Sequence, residues 1–283
     1  MTILGTTTTI RVSQILDTID HLRPMPANVT RILHEIEDPN TPTPVITGLV
    51  GQDQVLAALV LQAANSVSLG YVNACFSIHE AVMRIGFRRL KSLLFISTSY
   101  QSMSGALHGY RLDSGELWLH AQKTAMVCEN LARLLHSKQV EEAYVSGLLH
   151  DIGKLILNDV MQADYSRIAT FILRYKMSLW EIEKKLIGID HAQAGSLMAE
   201  HWNLPAALAD SIHFHHYPAM APADPYLPAM VNLANSVAGQ QGGVSDGLSS
   251  YDLAPETLDI LGLKPESMEE ISAEILKPAR RNA

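Results

Sequence analysis

The stretch GLLHDIGKLIL, residues 147–157, reads as an apolar helix with three ionisable residues in its middle. His150 and Asp151 are adjacent, and Lys154 follows three residues later. Burying an imidazole, a carboxylate and an ammonium in an apolar segment costs several kcal/mol unless each is paired or ligated. The partners must come from elsewhere in the chain, and the pattern around the stretch says from what kind of element.

Working outward, apolar residues recur at helical spacing over most of the chain. Helical patterns cover 116–136, 139–157, 161–175, 178–186 and 190–202, with further helices around 205–216 and 224–239 and a last one at 265–277. Upstream, Ile15, Ile19 and Leu22 keep helical spacing. Pro24 and Pro26 then precede a helix started by Asn28 or Thr30, which Pro39, Pro42 and Pro44 end; Thr43 with Pro44 starts another. VITGLVGQDQVLAALVLQAAN (45–65) and SIHEAVMRIGFRRLKSLLFIST (77–98) follow, the second opened by the capping-box pair Ser77 and Glu80. Gly70 and Gly86 mark turns or close-packing points. No strand alternation and no internal repeat is legible. The predicted fold is all-α in two lobes, punctuated at SGALHGYRLDSGE (104–116): residues 1–110, residues 111–240 with most of the chemistry, and a C-terminal loop and helix over 241–283.

The 283 residues are 47% hydrophobic and 18% charged, with a formal net charge of −8. That balance argues against a broad nucleic-acid-binding surface, so no DNA contact is expected. Arg84, Arg88, Arg89 and Lys91 form the densest basic stretch and read as one solvated helix face. Two cysteines, Cys75 and Cys128, offer no disulfide framework and fit a reducing compartment. The longest apolar run, VLAALVLQAA at 55–64, is half a membrane thickness, and the N-terminus lacks a secretory signal. A cytoplasmic protein without a membrane span is the expectation.

Histidine is the informative residue type, with 12 in the chain and eight of them between 120 and 216. Glu116 and His120, four apart, share one helix face and suit either chelation or a hydrogen bond. On a helix, His150 and Asp151 point about 100° apart and can straddle a cleft. His191 sits in GIDHAQAGSLMAEHW, where Asp190 with Gln193 suits a helix N-cap. IHFHHYP supplies His213, His215 and His216, three imidazoles that each need a partner if buried. Asn232 and Asn235 interrupt a helix otherwise written in Val, Leu and Ala. Taken singly, each has a plain explanation as a hydrogen-bonded core residue. Together they supply imidazole and carboxylate ligands from several helices, the donor set for a divalent Fe, Mn, Zn or Ni site of one or two ions.

In this order the residues resemble the HD superfamily of metal-dependent phosphohydrolases: a first His (His120), GLLHDIGK, then DHAQAGSLMAEHWNLP and the double His. More narrowly they resemble the HDOD domain, an output domain of bacterial signalling proteins. LRPMPANVTRILHEIED, QAANSVSLG, SIHEAVMRIGFRRLKSLL and VNLANSVAG carry that resemblance, which spans residues 14 to 240. It implies an all-helical fold with an N-terminal lobe and an HD-like lobe. Carried over from the HD-GYP branch, it implies metal ligands at Glu116, His120, His150, Asp151, His191, His215 and His216, with Asn235 at the final ligand position. Asp151 and Lys154 would be the catalytic pair, Lys154 contacting a phosphate. Two departures weaken the implication of cyclic di-GMP hydrolysis: Asn235 stands where HD enzymes carry Asp, and HHYPAMAPADPY lacks the Gly-Tyr-Pro extension.

Two functions follow. One is a bacterial signalling module with an HD-type metal site and little or no catalysis, working through a protein partner or a nucleotide or phosphate ligand, with oligomers allowed. The other is a metal-dependent phosphohydrolase acting on a phosphodiester or nucleotide, in which the metal assists hydrolysis and Lys154 neutralises phosphate charge. Under both, His150 and Asp151 pair with a metal ion and Lys154 with an anion beside it.

Overall fold

Proline and glycine set the helix boundaries, and the apolar spacing between them sets what is buried. The computed structural model describes residues 25–66, 71, 73–163, 165–202, 204–240 and 251–277; the helix expected over 11–22 and the turn at Gly70 lie outside them. The chain divides into two compact units, one over residues 23–101 and one over 102–277. Among the described residues there is no strand, only a single antiparallel bridge between Leu107 and Leu112. No single described helix is long and apolar enough to cross a membrane.

In the 23–101 unit, α1 (Ala27–Glu37) buries Val29 and Ile32. It packs on α2 (Thr43–Gly51), where Asn28 Nδ2 donates to the Leu49 carbonyl at 3.3 Å. The apolar run expected as one segment over 45–65 is broken, with α3 spanning Gln54–Ala64. Asn65 closes the loop that follows, its side chain pairing with both the N–H and the carbonyl of Cys75. The next helix, α4 (Ile78–Met103), changes direction at Gly86, whose φ of 76° is open to glycine at little cost.

The 102–277 unit opens with a 3-10 turn, His108–Tyr110, followed by α5 (Glu116–Leu134) and α6 (Val140–Leu149). α5 and α6 pack as a tight pair because Gly147 carries no side chain: a Cβ there would lie 2.8 Å from Cys128 Sγ and 2.9 Å from Ala125 Cα. The helix expected to run unbroken from 139 to 157 stops at Leu149, and a new one, α7 (Lys154–Ala163), begins at Lys154. The intervening turn holds His150 and Asp151, with Ile152 N–H bonded to Leu149 O and Lys154 N–H to Asp151 O. Gly153 explains the break, since its backbone is pressed against the next layer and a Cβ would lie 2.0 Å from His191 O and 2.5 Å from Gly195 N. Hydrophobic periodicity alone does not report such a close approach.

α8 (Tyr165–Tyr175) and α9 (Leu179–Ile187) follow, then α10 (His191–His201), capped by Asp190 and Gln193 as the sequence predicts. α11 (Ala206–Phe214) ends at the double histidine, and α12 (Tyr226–Gln240) is buried from Leu227 to Ala238 against α5, α6 and α11. Two short helices, α13 (Thr257–Leu261) and α14 (Met268–Ile275), complete the core. The sequence pattern shows the second and not the first, which has only five residues. Asn232, buried in α12, ties this tail to the site: its Nδ2 donates to His215 O at 2.8 Å, and its Oδ1 accepts from Ala254 N–H and Thr257 Oγ1.

Two substitutions check this packing by denaturant unfolding. Gly153→Ala forces α7 and α10 apart and should destabilise the unit by about 1–3 kcal/mol. Asn232→Ala removes three buried hydrogen bonds at once and should cost about 2–4 kcal/mol, with amide exchange rising first over 254–261.

Candidate metal centre

Each ligand-type side chain sits at a helix end or on a small-residue face, where the backbone can bring it close to its neighbours. α5 presents His120; the turn after α6 presents His150 and Asp151; the first residue of α7 is Lys154. His191 is the first residue of α10, and His215 and His216 leave the C-terminal end of α11. Asn235 comes from α12.

These side chains form two groups. His120, His150 and Asp151 place ligand atoms within 4.8 Å of one another, and so do His191, His215 and His216. Asp151 spans both, with Oδ2 3.3 Å from His150 Nε2 and 3.6 Å from His120 Nε2, and Oδ1 3.2 Å from His191 Nε2. Within the second group, His216 Nε2 lies 2.9 Å from His191 Nε2. Asn235 Oδ1 lies 2.9 Å from His120 Nε2, so the residue at the family's final ligand position does reach the centre. Glu116 does not: its carboxylate accepts the Asp113 N–H at 2.7 Å, closing its own helix start, and it lies outside both groups.

Lys154 differs from the expectation of an anion beside it. Its ammonium donates to Asp151 Oδ2 at 2.7 Å, so the anion it meets is the centre's own carboxylate. Residues three apart meet on a helix as on a turn, and here the 151–153 turn carries the contact.

The hydrogen bonds fix which ring nitrogens are free. His150 Nδ1–H donates to Gly147 O at 2.8 Å, and His215 Nδ1–H to Ile212 O at 2.7 Å. Each ring therefore turns its Nε2 lone pair to the interior, and these two buried nitrogens have no hydrogen-bond partner in the structure. The 3.3 Å approach of His150 Nε2 to Asp151 lacks the alignment of a hydrogen bond. Unpartnered buried acceptors are rare in folded proteins and call for an explanation. A divalent cation supplies one, because it takes neutral imidazole nitrogens and carboxylate oxygens together.

The electrostatics agree. Burial pushes His120 down to about 3 and holds His215 and His216 well below their usual range, so these rings stay neutral, the form a metal binds. Burial opposes ionisation of Asp151, yet the neighbouring His150 and Lys154 and the contact with His191 keep the carboxyl well below its ordinary value. Burial also pulls His191 down, but the Glu183 carboxylate and the bonds to Asp151 and Glu183 outweigh it and raise the ring to about 9. A cation is thus demanded between two buried carboxylates, Asp151 and Glu183, and without a metal the proton on His191 fills that need.

Glu183, Tyr110, Trp180 and Tyr251 belong to the surroundings of the centre, and the sequence reading missed them. Glu183 sits in EIEKKL, which reads as an ordinary charged helix turn, and Tyr110 lies in a segment that shows only punctuation. Trp180 stacks near His216, with ring centroids 5.9 Å apart, and Tyr251 lies 5.4 Å from His120. Asp151, Lys154, Trp180, His191, His216 and Tyr251 line most of a cavity of only about 10 Å³, room for about one water. A larger surface hollow lies at Asn28, Gln52, Asp53 and Gln54 of the 23–101 unit.

Comparison with known proteins bears on the family and the fold. Residues 22–218 match the HDOD domain. An uncharacterised protein of Treponema pallidum (strain Nichols) is 27% identical over 256 residues, which is 90% of this chain and 48% of the relative, so the chain spans about half that protein's length. Among solved structures, a candidate phosphohydrolase from Shewanella amazonensis SB2B superposes with a TM-score of 0.67 at 24% identity, covering 95% of this chain and 98% of the other. A candidate signal transduction protein from Marinobacter aquaeolei VT8 superposes at 0.69 and 23%, covering 95% and 63%. At such identities the likeness to the two structures is one of fold, and it is the family match, over more than half the chain, that identifies the sequence: it belongs to the HDOD family.

Proposed function

We propose that this chain is a bacterial signalling module that holds one or two divalent metal ions in its HD-like unit and turns substrate over slowly or not at all. The observation that carries the metal reading is the pair of buried, unpartnered nitrogens, His150 Nε2 and His215 Nε2, one in each histidine group. His120, His150 and Asp151 would hold one ion and His191, His215 and His216 a second, with Asp151 shared and Asn235 beside His120. A metal bound there would act as a Lewis acid toward phosphoryl oxygens and water.

Three features of the centre argue for slow turnover or none. A phosphodiester cannot enter about 10 Å³ unless Trp180 or Tyr251 moves. Asn235 also contributes no charge where a carboxylate would help hold two dications. Lys154 is engaged by Asp151, so its charge is spent on the centre before any phosphate arrives. In this reading the output is a protein contact, or a phosphate or nucleotide captured once Trp180 or Tyr251 has moved, made in the cytoplasm.

The phosphohydrolase reading has one observation of its own, that Lys154 faces the same cavity as Asp151, His191 and His216. Displaced from Asp151, its ammonium would lie where a phosphate needs a counter-charge.

Elemental analysis of the untagged chain beside His150→Ala tests the proposal. Near-stoichiometric Fe, Mn, Zn or Ni that the variant loses is the expected result, together with little hydrolysis of bis-p-nitrophenyl phosphate by the loaded chain. No metal even after reconstitution would sink both readings, and rapid hydrolysis lost in His150→Ala would favour the enzyme.

A further inference from the structure

Two facts about Glu183 go beyond a helix-to-helix tie. It is a carboxylate with no exposed surface, and it is held by two hydrogen bonds from His191 and one from Tyr110. Its Oε2 accepts both the backbone N–H of His191, at 2.8 Å, and the ring Nδ1–H, at 2.6 Å. Its Oε1 accepts from the Tyr110 hydroxyl at 2.8 Å. Joining α9 to α10 would need only the backbone bond. The ring bond does something else: a carboxylate is an acceptor only, so it fixes the proton on Nδ1 and leaves Nε2 facing Asp151 and His216.

The other acid nearby does not compete for this role. Asp190 caps α10 through the Gln193 N–H at 2.7 Å and takes Tyr217 Oη at 3.1 Å and Lys184 Nζ at 3.5 Å. Tyr110 in turn is held by α7. Gly109 donates to Asn158 Oδ1 at 3.0 Å and lies so close to that helix that a Cβ would be 2.1 Å from Asn158 O. The helix that opens with Lys154 therefore also clamps the 3-10 turn bearing Tyr110, and a hydrogen-bonded path runs from α7 through Tyr110 and Glu183 to His191.

We propose that Glu183, held in place by Tyr110, is the positioning residue of the metal centre: it selects the His191 tautomer and aims Nε2 at the ion. The inference rests on the metal reading given above. Carboxylates that accept the second nitrogen of a ligand histidine raise its basicity and lock its orientation, and their loss costs about 10–100-fold in metal affinity.

The test uses the untagged full chain, stripped with EDTA and titrated with Zn²⁺ against a chromogenic chelator, beside Glu183→Gln and Tyr110→Phe. Each apo protein is also melted by circular dichroism. Glu183→Gln should weaken Zn²⁺ binding by about 10–100-fold while still folded, and Tyr110→Phe should weaken it by up to about tenfold. A helix tie alone would lower the apo melting temperature and leave the Zn²⁺ affinity of the folded variant at the native value; that result overturns the assignment while leaving the metal reading intact. If Glu183→Gln fails to fold, Tyr110→Phe decides, and an unchanged affinity overturns the assignment. A native chain that binds no Zn²⁺ overturns this inference together with the metal centre.

Discussion

Asp151 is a carboxylate buried to 1% exposure in the interior of a helical unit, and the arrangement around it answers the cost of that burial. One of its oxygens meets Lys154, His150 and His120; the other meets His191. No single partner would be enough, because the ammonium of Lys154 neutralises only one of the two carboxylates, Asp151 and Glu183, buried in the same region. The remaining charge asks for a cation, which a proton on His191 or a metal among the imidazoles can supply.

That demand explains why so much of the surrounding backbone is glycine and alanine. Helices pack about 8–10 Å apart depending on the side chains at the contact, and small residues here let the ligand-bearing segments approach closely. Gly147 lets α6 lie on α5, Gly153 lets the 151–153 turn touch α10, and Gly195 presses on Ile212 of α11. The histidines at α6 and α11 then bond back to carbonyls three residues earlier, Gly147 O and Ile212 O. Helix ends thus carry His150, Asp151, His191, His215 and His216, and local backbone acceptors fix the tautomers of His150 and His215.

The same closeness bears on activity. A centre packed this tightly, with Tyr251 lying on Gly239 and beside His120, has little room for substrate. Asn232 connects the tail at 254–257 to the carbonyl of His215, so the segment that narrows the cavity and a ligand histidine share one buried amide. Drawing the segment after Tyr251 away from the centre must work against those hydrogen bonds.

The sequence by itself determined the all-helical class, most helix boundaries, and the candidate ligands His120, His150, Asp151, His191, His215, His216 and Asn235. These were legible because proline, capping residues and apolar spacing act locally, and because ionisable residues inside apolar helices are costly enough to stand out. Only the tertiary structure decided the rest. It split 139–157 at Gly153, because a backbone contact with α10 leaves no trace in hydrophobic period. It turned Lys154 onto Asp151, assigned Glu116 to its own helix start, and brought Tyr110 and Glu183, 73 residues apart, to the back of His191. A lone glutamate in EIEKKL looks like any solvated helix residue. Its role comes from a partner supplied by another helix, and contacts at that sequence distance are set by packing rather than by local pattern.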